Sequence, residues 1–424
     1  NILFSIVMEM FSKKGEDIAQ KNADAAKSGY EIGKDLKEEK IAGFNVKKGA
    51  DTAGHIMLNG ADAVAIGAIA GGCNACFAYP MTPSTGVFTA MAGYSSRLPV
   101  VAEQVEDEIG VINMALGAWY AGARALVSTS GGGFALMTEG LSLAGMTETP
   151  VVIHLAQRPG PATGLPTRTE QADLNLALYA GHGFFPRIIL APGSVEEAFR
   201  LSAEAFNLAD RFQVPVFIMT DQYFVDSYYN TAGVSHDKAK IVNSVIETQE
   251  GYKRYAYTKD GISPRGIPGY GRGLVAADSD EHDEEGRITE DLDGVRMKMA
   301  QKRMKKAEAV RRAAMRPELI GPKKYKKLIV SWGSNYNTII EALDSMAAKD
   351  TAFLHFPQVY PIHSSALKYL KAAKKVICVE NNQTGQFADL IKAETGYNIE
   401  NRVLKYNGMP FSVEELGSKI KSLI

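Results

Sequence analysis

From Asn59 onward the chain alternates short apolar runs with amphipathic segments, and this alternation limits the folds that it can adopt. Six early runs are typical of buried strands: CFAYP, LPVVAEQV, RALVSTS, PVVIHLAQ, PRIILAP and VPVFIMT. Helix-like segments separate them, such as DEIGVINMALGAWYAG, in which Ile109, Ile112, Leu116 and Tyr120 are predicted to share one face. Strand, helix and strand in succession predict an α/β fold with a doubly wound parallel sheet.

The same pattern divides the chain into four segments. Residues 1–57 are predicted to be helical, then polar, ending in a Gly- and Lys-containing linker. Residues 58–238 hold the main sheet, and residues 239–325 form a charged linker with an exposed helix. Residues 326–424 resume the alternation with KLIVSWG, TAFLHFP, KVICVENN and NRVLKYN. They predict a second, smaller α/β domain.

The charged segment contains DSDEHDEEGRITEDLD followed by RMKMAQKRMKKAEAVRR. Acidic and basic blocks side by side favour a solvated linker and an exposed helix. Two alternatives stay open: His282 with its carboxylate neighbours could bind a hard metal ion, and the basic helix could bind phosphate. The first lacks a loop with fixed ligand spacing, so the solvated interpretation is preferred.

Composition excludes several classes of partner. The 424 residues carry 47 Lys and Arg against 48 Asp and Glu, which gives no indication of a nucleic acid or membrane-surface partner. No apolar run reaches the roughly 18 residues that a spanning helix needs. Three cysteines are too few for a disulfide framework and indicate a reducing cytoplasm. Cys73 and Cys76 form a C-x-x-C pair that favours packed thiols over a metal site. The first residue is Asn, which suggests a fragment of a longer chain.

Polar groups follow four consecutive predicted strands. Thr82 lies between two prolines in FAYPMTPST, Glu106 follows the second strand, the turn Ser130–Gly133 follows the third and Arg158 follows the fourth. Ligands of open parallel sheets bind beyond the carboxyl ends of the strands. A hydroxyl, a carboxylate, a Gly-rich turn and a guanidinium are therefore expected at one edge, where Arg158 could bind an anion in a bidentate manner.

Each of these groups also has a structural explanation. Thr82 and the hydroxyls beside it are good helix N-caps. Asp107 and Glu108 fall in a first helical turn, where the macrodipole favours acids, so a structural role is predicted for both. The glycines of SGGG could cradle a phosphate or permit close packing, and the two interpretations are equally supported.

Longer motifs resemble a known family. YPMTPS, EQVEDEIGVINMALGAWYAGARA, TSGGGFALMTEGLSLAG, QRPGPATGLPTRTEQADL and APGSVEEAF together resemble the α subunit of 2-oxoacid:ferredoxin oxidoreductases, most closely the 2-oxoglutarate type. The resemblance runs from Asn59 to the C-terminus. It implies a pyrimidine-binding α/β domain of the thiamine-enzyme type and a transketolase-C-terminal-like second domain. Residues 11–30 resemble the tail of a fused γ domain. The family's usual YPITP, SGPG and QRGG are YPMTP, SGGG and QRPG here.

The resemblance implies a reaction and roles for five residues. The family decarboxylates a 2-oxoacid with thiamine diphosphate, passes electrons to ferredoxin and delivers the acyl group to coenzyme A. Glu106 matches the glutamate that activates the cofactor, and Pro80 matches a residue lining the thiamine site. Thr82, Arg158 and Thr167 match groups that hold the carboxylate and 2-oxo group of the substrate.

Two motifs of such enzymes are absent from the sequence. No GDG is followed by Asn at the spacing that holds a Mg²⁺-diphosphate, and no cluster-binding set of cysteines exists. The chain therefore resembles half of an active site. A β subunit is expected to supply Mg²⁺ and a [4Fe-4S] cluster, in an (αβ)₂ heterotetramer.

Three alternative functions remain open. The same reaction could act on pyruvate or a branched-chain 2-oxoacid, because the matched residues address features that every 2-oxoacid shares. A non-catalytic module that only binds a partner is disfavoured by the intact Thr82, Glu106 and Arg158 set. A nicotinamide dehydrogenase is disfavoured because G-x-G-x-x-G does not follow the first strand.

Overall fold

The computed structural model describes residues 2–41, 52–235 and 239–423. Most of the predicted Gly- and Lys-containing linker lies outside the described residues. The chain forms two compact units, Asn1–Gly54 and His55–Ile424.

The first unit is helical, as predicted. It contains α1 (Ile2–Phe11), a short 3₁₀ turn (Ser12–Lys14) and α2 (Glu16–Glu38). Gly15 separates the helices with a φ of 103°, a left-handed conformation that glycine adopts without steric cost. Acidic side chains open α2 and Lys37 lies in its last turn, as the helix dipole favours. The resemblance of this unit to a γ-domain tail stays a prediction.

The second unit alternates strands and helices over its whole length. Its strands are β1 (Ile56–Asn59), β2 (Ala75–Ala78), β3 (Val101–Gln104), β4 (Ala125–Thr129), β5 (Val151–Gln157), β6 (Ile188–Leu190), β7 (Pro215–Asp221), β8 (Tyr228–Thr231), β9 (Glu318–Ile320), β10 (Lys327–Ser331), β11 (Thr351–His355), β12 (Gln358–Tyr360), β13 (Lys375–Glu380) and β14 (Asn401–Leu404). Its helices are α3 (Gly60–Ala70), α4 (Thr85–Tyr94), α5 (Glu108–Tyr120), α6 (Gly131–Leu136), α7 (Thr138–Thr147), α8 (Leu174–Tyr179), α9 (Val195–Phe212), α10 (Gln222–Asp226), α11 (Met297–Arg312), α12 (Asn335–Ser345), α13 (Ala366–Ala372), α14 (Gln386–Thr395) and α15 (Val413–Leu423).

The main sheet has seven strands in the order β12-β6-β7-β5-β4-β2-β3. The six predicted strands, β2 to β7, pair in parallel, so the predicted doubly wound α/β sheet is confirmed. β4, β5 and β7 are buried along their whole length, which explains why their sequences are continuous apolar runs.

The second sheet has five strands in the order β14-β13-β10-β11-β9. The four predicted runs are β10, β11, β13 and β14, which pair in parallel, while β9 joins the edge antiparallel. β12 follows β11 in the chain but pairs antiparallel with β6 of the main sheet. The chain therefore passes from the second sheet to the main sheet between β11 and β12. The segment boundaries and the likeness to a transketolase C-terminal domain stay predictions.

The buried face of α5 differs from the predicted one. Ile112 and Leu116 are buried, but Ile109 is 49% exposed. Val111, Ala115 and Trp119 complete the buried stripe instead. The prediction for Ile109 is wrong because the buried stripe of α5 begins at Glu108 and continues through Val111, which leaves Ile109 outside it. Asp107 caps the helix by accepting from the Gly110 amide at 2.7 Å.

The predicted exposed basic helix, α11, is exposed on one face and buried on the other. α11 buries the side chains of Lys302 and Lys306, which both donate to the carboxylate of Glu148, Lys302 at 2.5 Å. Burial raises the pKa of Glu148, but Lys306 and Lys302 outweigh that effect and hold it well below its usual range. Glu148 lies directly after α7, far away in sequence, so the local charge pattern gave no sign of this partner.

The acidic segment before α11 is packed as well, which corrects the prediction of a solvated linker at its centre. His282 is fully buried and its ring lies 3.9 Å from that of Tyr255, measured between centroids. The Nδ1 atom of His282 lies 2.9 Å from the carbonyl oxygen of Asp280. Tyr255 is itself fully buried, so the segment covers an apolar part of the unit.

Candidate active site

Four adjacent strands of the main sheet end at one edge. β5, β4, β2 and β3 are neighbours and parallel, so the residues that follow them emerge on the same side. Arg158, Ser130, Thr82 and Glu106 follow these strands in that spatial order. The predicted gathering of these segments at one edge therefore agrees with the sheet topology.

The turn Met81–Ser84 is held by hydroxyl groups. The amide and the hydroxyl of Ser84 both donate to the carbonyl of Met81, at 2.9 and 2.6 Å. The hydroxyl of Ser130 lies 3.0 Å from the Thr82 carbonyl oxygen and 3.3 Å from that of Met81. The bond between Thr82 and Pro83 is cis. The backbone of this turn is thus fixed against β4.

Arg158 contacts the same turn. Its Nη1 donates to the backbone carbonyl of Thr82 at 2.5 Å, and its side chain is half-buried. The side chain of Thr82 is exposed, and the contact between the two residues uses the backbone carbonyl of Thr82, not its hydroxyl. Pro80 and Thr167 are exposed in the segments that follow β2 and β5, and no hydrogen bond joins the Thr167 hydroxyl to Arg158 among the described residues.

The glycines of SGGG permit close packing. A Cβ atom on Gly131 would lie 2.5 Å from both carboxylate oxygens of Asp173. A Cβ atom on Gly133 would lie 2.4 Å from the Thr129 hydroxyl and 2.5 Å from Oε1 of Glu108. Of the two interpretations left open for this turn, the packing role is therefore confirmed. It brings two carboxylates against the start of α6.

Glu108 and Glu106 lie in different surroundings. Glu106 is exposed beyond β3. Glu108 is only 3% exposed, burial raises the pKa of its carboxyl group, and its Oε1 has no hydrogen-bond partner among the described residues. A purely structural acid in a first helical turn would not leave a buried oxygen unpaired, because that costs about 1 to 3 kcal/mol. Sequence reasoning missed Glu108, since its neighbours give no sign of which acid turns inward.

Asp173 is a second carboxylate that sequence reasoning did not select. Its Oδ2 is buried without a partner among the described residues. Burial and the nearby charge of Glu170 raise the pKa of Asp173 to about 7, and Arg158 opposes the shift. Asp173 thus lies within electrostatic range of Arg158 and against Gly131, at the centre of the edge. In the sequence, Asp173 is indicated only by its position in the motif TEQADL.

The second sheet holds the loop that follows Arg158. Gln171 is fully buried, and its amide nitrogen donates to the carbonyl of Trp332 at 3.1 Å. Its amide oxygen accepts from the Asn335 side chain at 2.9 Å and from the Asn381 backbone at 3.0 Å. Trp332 follows β10 and Asn381 follows β13, so the carboxyl ends of the second sheet position this loop.

The predicted packing of the cysteine pair is confirmed. Cys73 and Cys76 are free thiols and fully packed, and burial raises the pKa of Cys73 to about 12. Within residues 2–41, 52–235 and 239–423, no cluster of His, Cys, Asp and Glu side chains could hold a metal ion. No helix in the same described ranges is both long and apolar enough to cross a membrane.

A family model described as pyruvate flavodoxin/ferredoxin oxidoreductase, thiamine diphosphate-binding, matches residues 66–302, more than half of the chain. The chain belongs to this family. The matched region contains the whole edge built from Thr82, Glu106, Glu108, Ser130 and Arg158. The resemblance predicted from the motifs is confirmed at the level of the family.

Two relatives of the chain carry names of subunits of such oxidoreductases. The α subunit of 2-oxoacid:ferredoxin oxidoreductase 1 from Sulfurisphaera tokodaii is 37% identical over 401 residues, which cover 90% of this chain and 63% of the relative. The 2-oxoglutarate synthase subunit KorA from Methanocaldococcus jannaschii is 34% identical over 333 residues, covering 77% of this chain and 88% of the relative. The chain spans about three fifths of the length of the first relatives that it matches.

A solved structure shares the fold of this family member. It is a 2-oxoglutarate:ferredoxin oxidoreductase from Magnetococcus marinus with 2-oxoglutarate, coenzyme A and succinyl-CoA bound. The TM-score is 0.89 at 33% identity, and the match covers 99% of this chain and 74% of the other. The predicted fold class is confirmed by this match across both α/β sheets.

Proposed function

We propose that the chain is the α subunit of a thiamine-diphosphate-dependent 2-oxoacid:ferredoxin oxidoreductase that acts on 2-oxoglutarate. The enzyme would convert 2-oxoglutarate and coenzyme A to succinyl-CoA and CO₂, and pass two electrons to oxidised ferredoxin. The observation that carries the proposal is the match over 99% of the chain to a 2-oxoglutarate:ferredoxin oxidoreductase with 2-oxoglutarate and succinyl-CoA bound.

The edge of the main sheet fits a thiamine cofactor. When bound, thiamine diphosphate supplies the electron sink that decarboxylation of a 2-oxoacid needs. We assign Glu108 to hold its aminopyrimidine ring, because Oε1 of Glu108 is buried without a partner and its pKa is raised by burial. A carboxyl group in this state can share a proton with a ring nitrogen. Pro80 remains our predicted lining residue for this ring.

Glu106 remains the sequence-based candidate for the same task. Its exposed position gives it no desolvated surroundings within the described chain, so a partner subunit would have to cover it. The two glutamates therefore make opposite predictions for substitution, and the buried one is our preferred assignment.

Arg158, Thr82 and Thr167 are our proposed substrate-binding residues. Arg158 uses one N–H group on the Thr82 carbonyl, which holds the guanidinium in place while its remaining N–H groups can bind a carboxylate. The side chains of Thr82 and Thr167 are exposed at this edge and can donate to the 2-oxo oxygen. Donors fixed in advance stabilise developing charge without reorganisation.

We propose that a β subunit completes the site. The described residues hold no metal cluster, so Mg²⁺ for the diphosphate and a [4Fe-4S] cluster are assigned to that subunit, with ferredoxin as the electron acceptor. Tyr79, Ile109 and Leu165 are large apolar side chains that follow β2, β3 and β5, and 39 to 51% of each is exposed. A partner covering this edge would bury them. An (αβ)₂ assembly in the cytoplasm is part of the proposal.

The test is to express the chain with its β subunit and measure dye reduction with a panel of 2-oxoacids in the presence of coenzyme A. We expect the highest kcat/KM for 2-oxoglutarate and no reduction without coenzyme A. Preference for pyruvate or a branched-chain acid would change the assigned substrate and leave the assigned reaction type unchanged. Turnover of no 2-oxoacid by the assembled complex would support a non-catalytic module instead.

A second measurement tests the half-site. The purified chain alone should neither bind thiamine diphosphate tightly by calorimetry nor decarboxylate 2-oxoglutarate, because the metal-diphosphate site is assigned to the partner. Tight binding or activity of the isolated chain contradicts the shared active site.

A further inference from the structure

Three polar side chains form a row across the core of the main sheet. Ser128, His154 and Thr220 lie on β4, β5 and β7, and each is at most 3% exposed. Oγ of Ser128 lies 3.0 Å from Nδ1 of His154, and Nε2 of His154 lies 2.9 Å from Oγ1 of Thr220. Buried polar groups cost free energy unless they are paired, so a row of three in an apolar sheet requires an explanation.

The row ends on the turn that carries Thr82. Oγ of Ser128 lies 3.1 Å from the backbone carbonyl oxygen of Ser84. A carbonyl oxygen only accepts, so the Ser128 hydroxyl donates to it. The same hydroxyl oxygen then accepts from Nδ1–H of His154, which leaves Nε2 to accept from the Thr220 hydroxyl. The donors are thus ordered in one direction, from Thr220 to Ser84.

The row is electrically neutral. Burial lowers the pKa of His154 to about 3, so the ring carries no charge near neutral pH. Its two hydrogen-bonding neighbours are the hydroxyls of Ser128 and Thr220. Because no proton is gained or lost there near neutral pH, the order of donors stays fixed.

We propose that Ser128 and His154 are positioning residues for the substrate-binding turn Met81–Ser84. Ser128 and Ser130 lie two residues apart on one side of β4 and its end, and they hold the carbonyls of Ser84 and Thr82. The Thr82 carbonyl in turn holds Arg158. A displaced turn therefore moves Thr82 and the guanidinium together. The inference rests on the proposed function, since it assigns a purpose to that same site.

The kinetic test compares two buried serines in the assembled enzyme. Ser128→Ala removes the hydroxyl that holds Ser84, and we expect KM for 2-oxoglutarate to rise about tenfold while kcat stays within about twofold. Ser202→Ala is the matched control: Ser202 is fully buried on α9, and its hydroxyl has no partner among the described residues. It should leave both constants unchanged.

Two substitutions of His154 distinguish its role as a hydrogen-bond donor from its role in packing. His154→Asn keeps a donor near the position of Nδ1 and should retain most of the wild-type KM, whereas His154→Leu should resemble Ser128→Ala. Thermal unfolding of each variant is measured alongside. Equal KM for all variants, with only a lowered Tm, would show that the row is structural and would overturn the proposal.

A third measurement does not depend on turnover. Hydrogen–deuterium exchange of the chain should show faster exchange at the amides of Ser84 and Val87 in Ser128→Ala, because these amides donate to the carbonyls of Met81 and Ser84 in this turn. The rest of the sheet and Ser202→Ala should match the wild type. Unchanged exchange in residues 81–87 overturns the positioning role. Altered exchange in an enzyme that uses no 2-oxoacid supports the positioning of the turn and counts against the proposed function alone.

Discussion

The guanidinium of Arg158 donates a hydrogen bond of 2.5 Å to the backbone carbonyl of Thr82. The two residues follow β5 and β2, strands separated in the sheet by β4 alone. Ser130, at the end of that middle strand, donates to the same turn. Together the two bonds to the Thr82 carbonyl join the segments that follow three strands.

Replacing Arg158 by Ala should weaken use of the 2-oxoacid. The change removes charge-assisted hydrogen bonds to the carboxylate, and we expect a loss of about 2 kcal/mol, or about thirtyfold in kcat/KM. Steady-state kinetics of the assembled enzyme give this value. Arg272→Ala is the control, because Arg272 is 74% exposed in the loop between β8 and α11. An unchanged kcat/KM in Arg158→Ala would reject the binding role.

Two isosteric substitutions decide between the glutamates. Glu108→Gln should lower turnover at least about a hundredfold, the scale of lost acid–base help, because the buried carboxyl group can no longer exchange a proton. Glu106→Gln should stay within a few fold, since that side chain is exposed. Both are measured as kcat in the assembled enzyme, with thiamine diphosphate affinity as a second readout. The reverse ranking would return the role to Glu106, as the sequence resemblance predicts.

Asp173 should make stability depend on pH. Its folded pKa is about 7 against an ordinary value of 3.8, so the folded chain holds this proton to higher pH than the unfolded chain. The contribution to stability is therefore complete below about pH 4 and lost as pH rises toward about 7. Asp173→Asn removes this loss. The Tm of the variant minus the Tm of the wild type should therefore increase over that interval and remain constant at higher pH. Scanning calorimetry from pH 4 to pH 8 measures the difference.

A control fixes the interpretation of that pH profile. Asp293→Asn changes an exposed carboxylate and should follow the wild-type curve. If Asp173→Asn runs parallel to the wild type at every pH, the carboxyl group is ionised in the folded chain and the burial argument fails.

Glu148 should be required for stability rather than for chemistry. Glu148→Gln leaves Lys302 and Lys306 buried without their counter-charge, which should lower the free energy of unfolding by about 3 to 5 kcal/mol. Denaturant titration of the purified chain measures this loss. Adding Lys306→Met to Glu148→Gln should recover part of it, since one buried charge is removed.

An exposed ion pair on the same helix provides the comparison. Glu308 is 70% exposed and lies 3.7 Å from Arg312 on α11. Glu308→Gln should change stability by less than about 1 kcal/mol, as is usual for surface pairs. Similar losses for Glu308→Gln and Glu148→Gln would show that burial of the cluster contributes nothing.

Local pattern accounted for the strands because burial on both faces leaves continuous apolar runs in the sequence. Each predicted run became a strand, and the parallel order brought Thr82, Ser130 and Arg158 to one edge. Their side-chain contacts were less accessible to sequence reasoning. The bond from Arg158 reaches the carbonyl of Thr82, and backbone carbonyls leave no mark in a sequence.

The burial of one face of α11 was also not predictable from local sequence. α11 contains lysines at positions 298, 302, 305 and 306, of which only Lys302 and Lys306 are buried. Their burial depends on Glu148, which precedes them by 154 and 158 positions. Charge pattern alone therefore predicts a solvated face, whereas the folded chain places two cations in the interior.

The sequence by itself determined the alternation of strands and helices, the parallel sheets and the family, because these depend on short-range periodicity and on motifs within single segments. Only the tertiary structure decided that Glu108 turns inward while Glu106 stays exposed, and that Ser128 and His154 support the turn beneath Thr82. Burial and hydrogen-bond direction depend on neighbours that are distant in the chain. Those neighbours meet only when the sheet has formed.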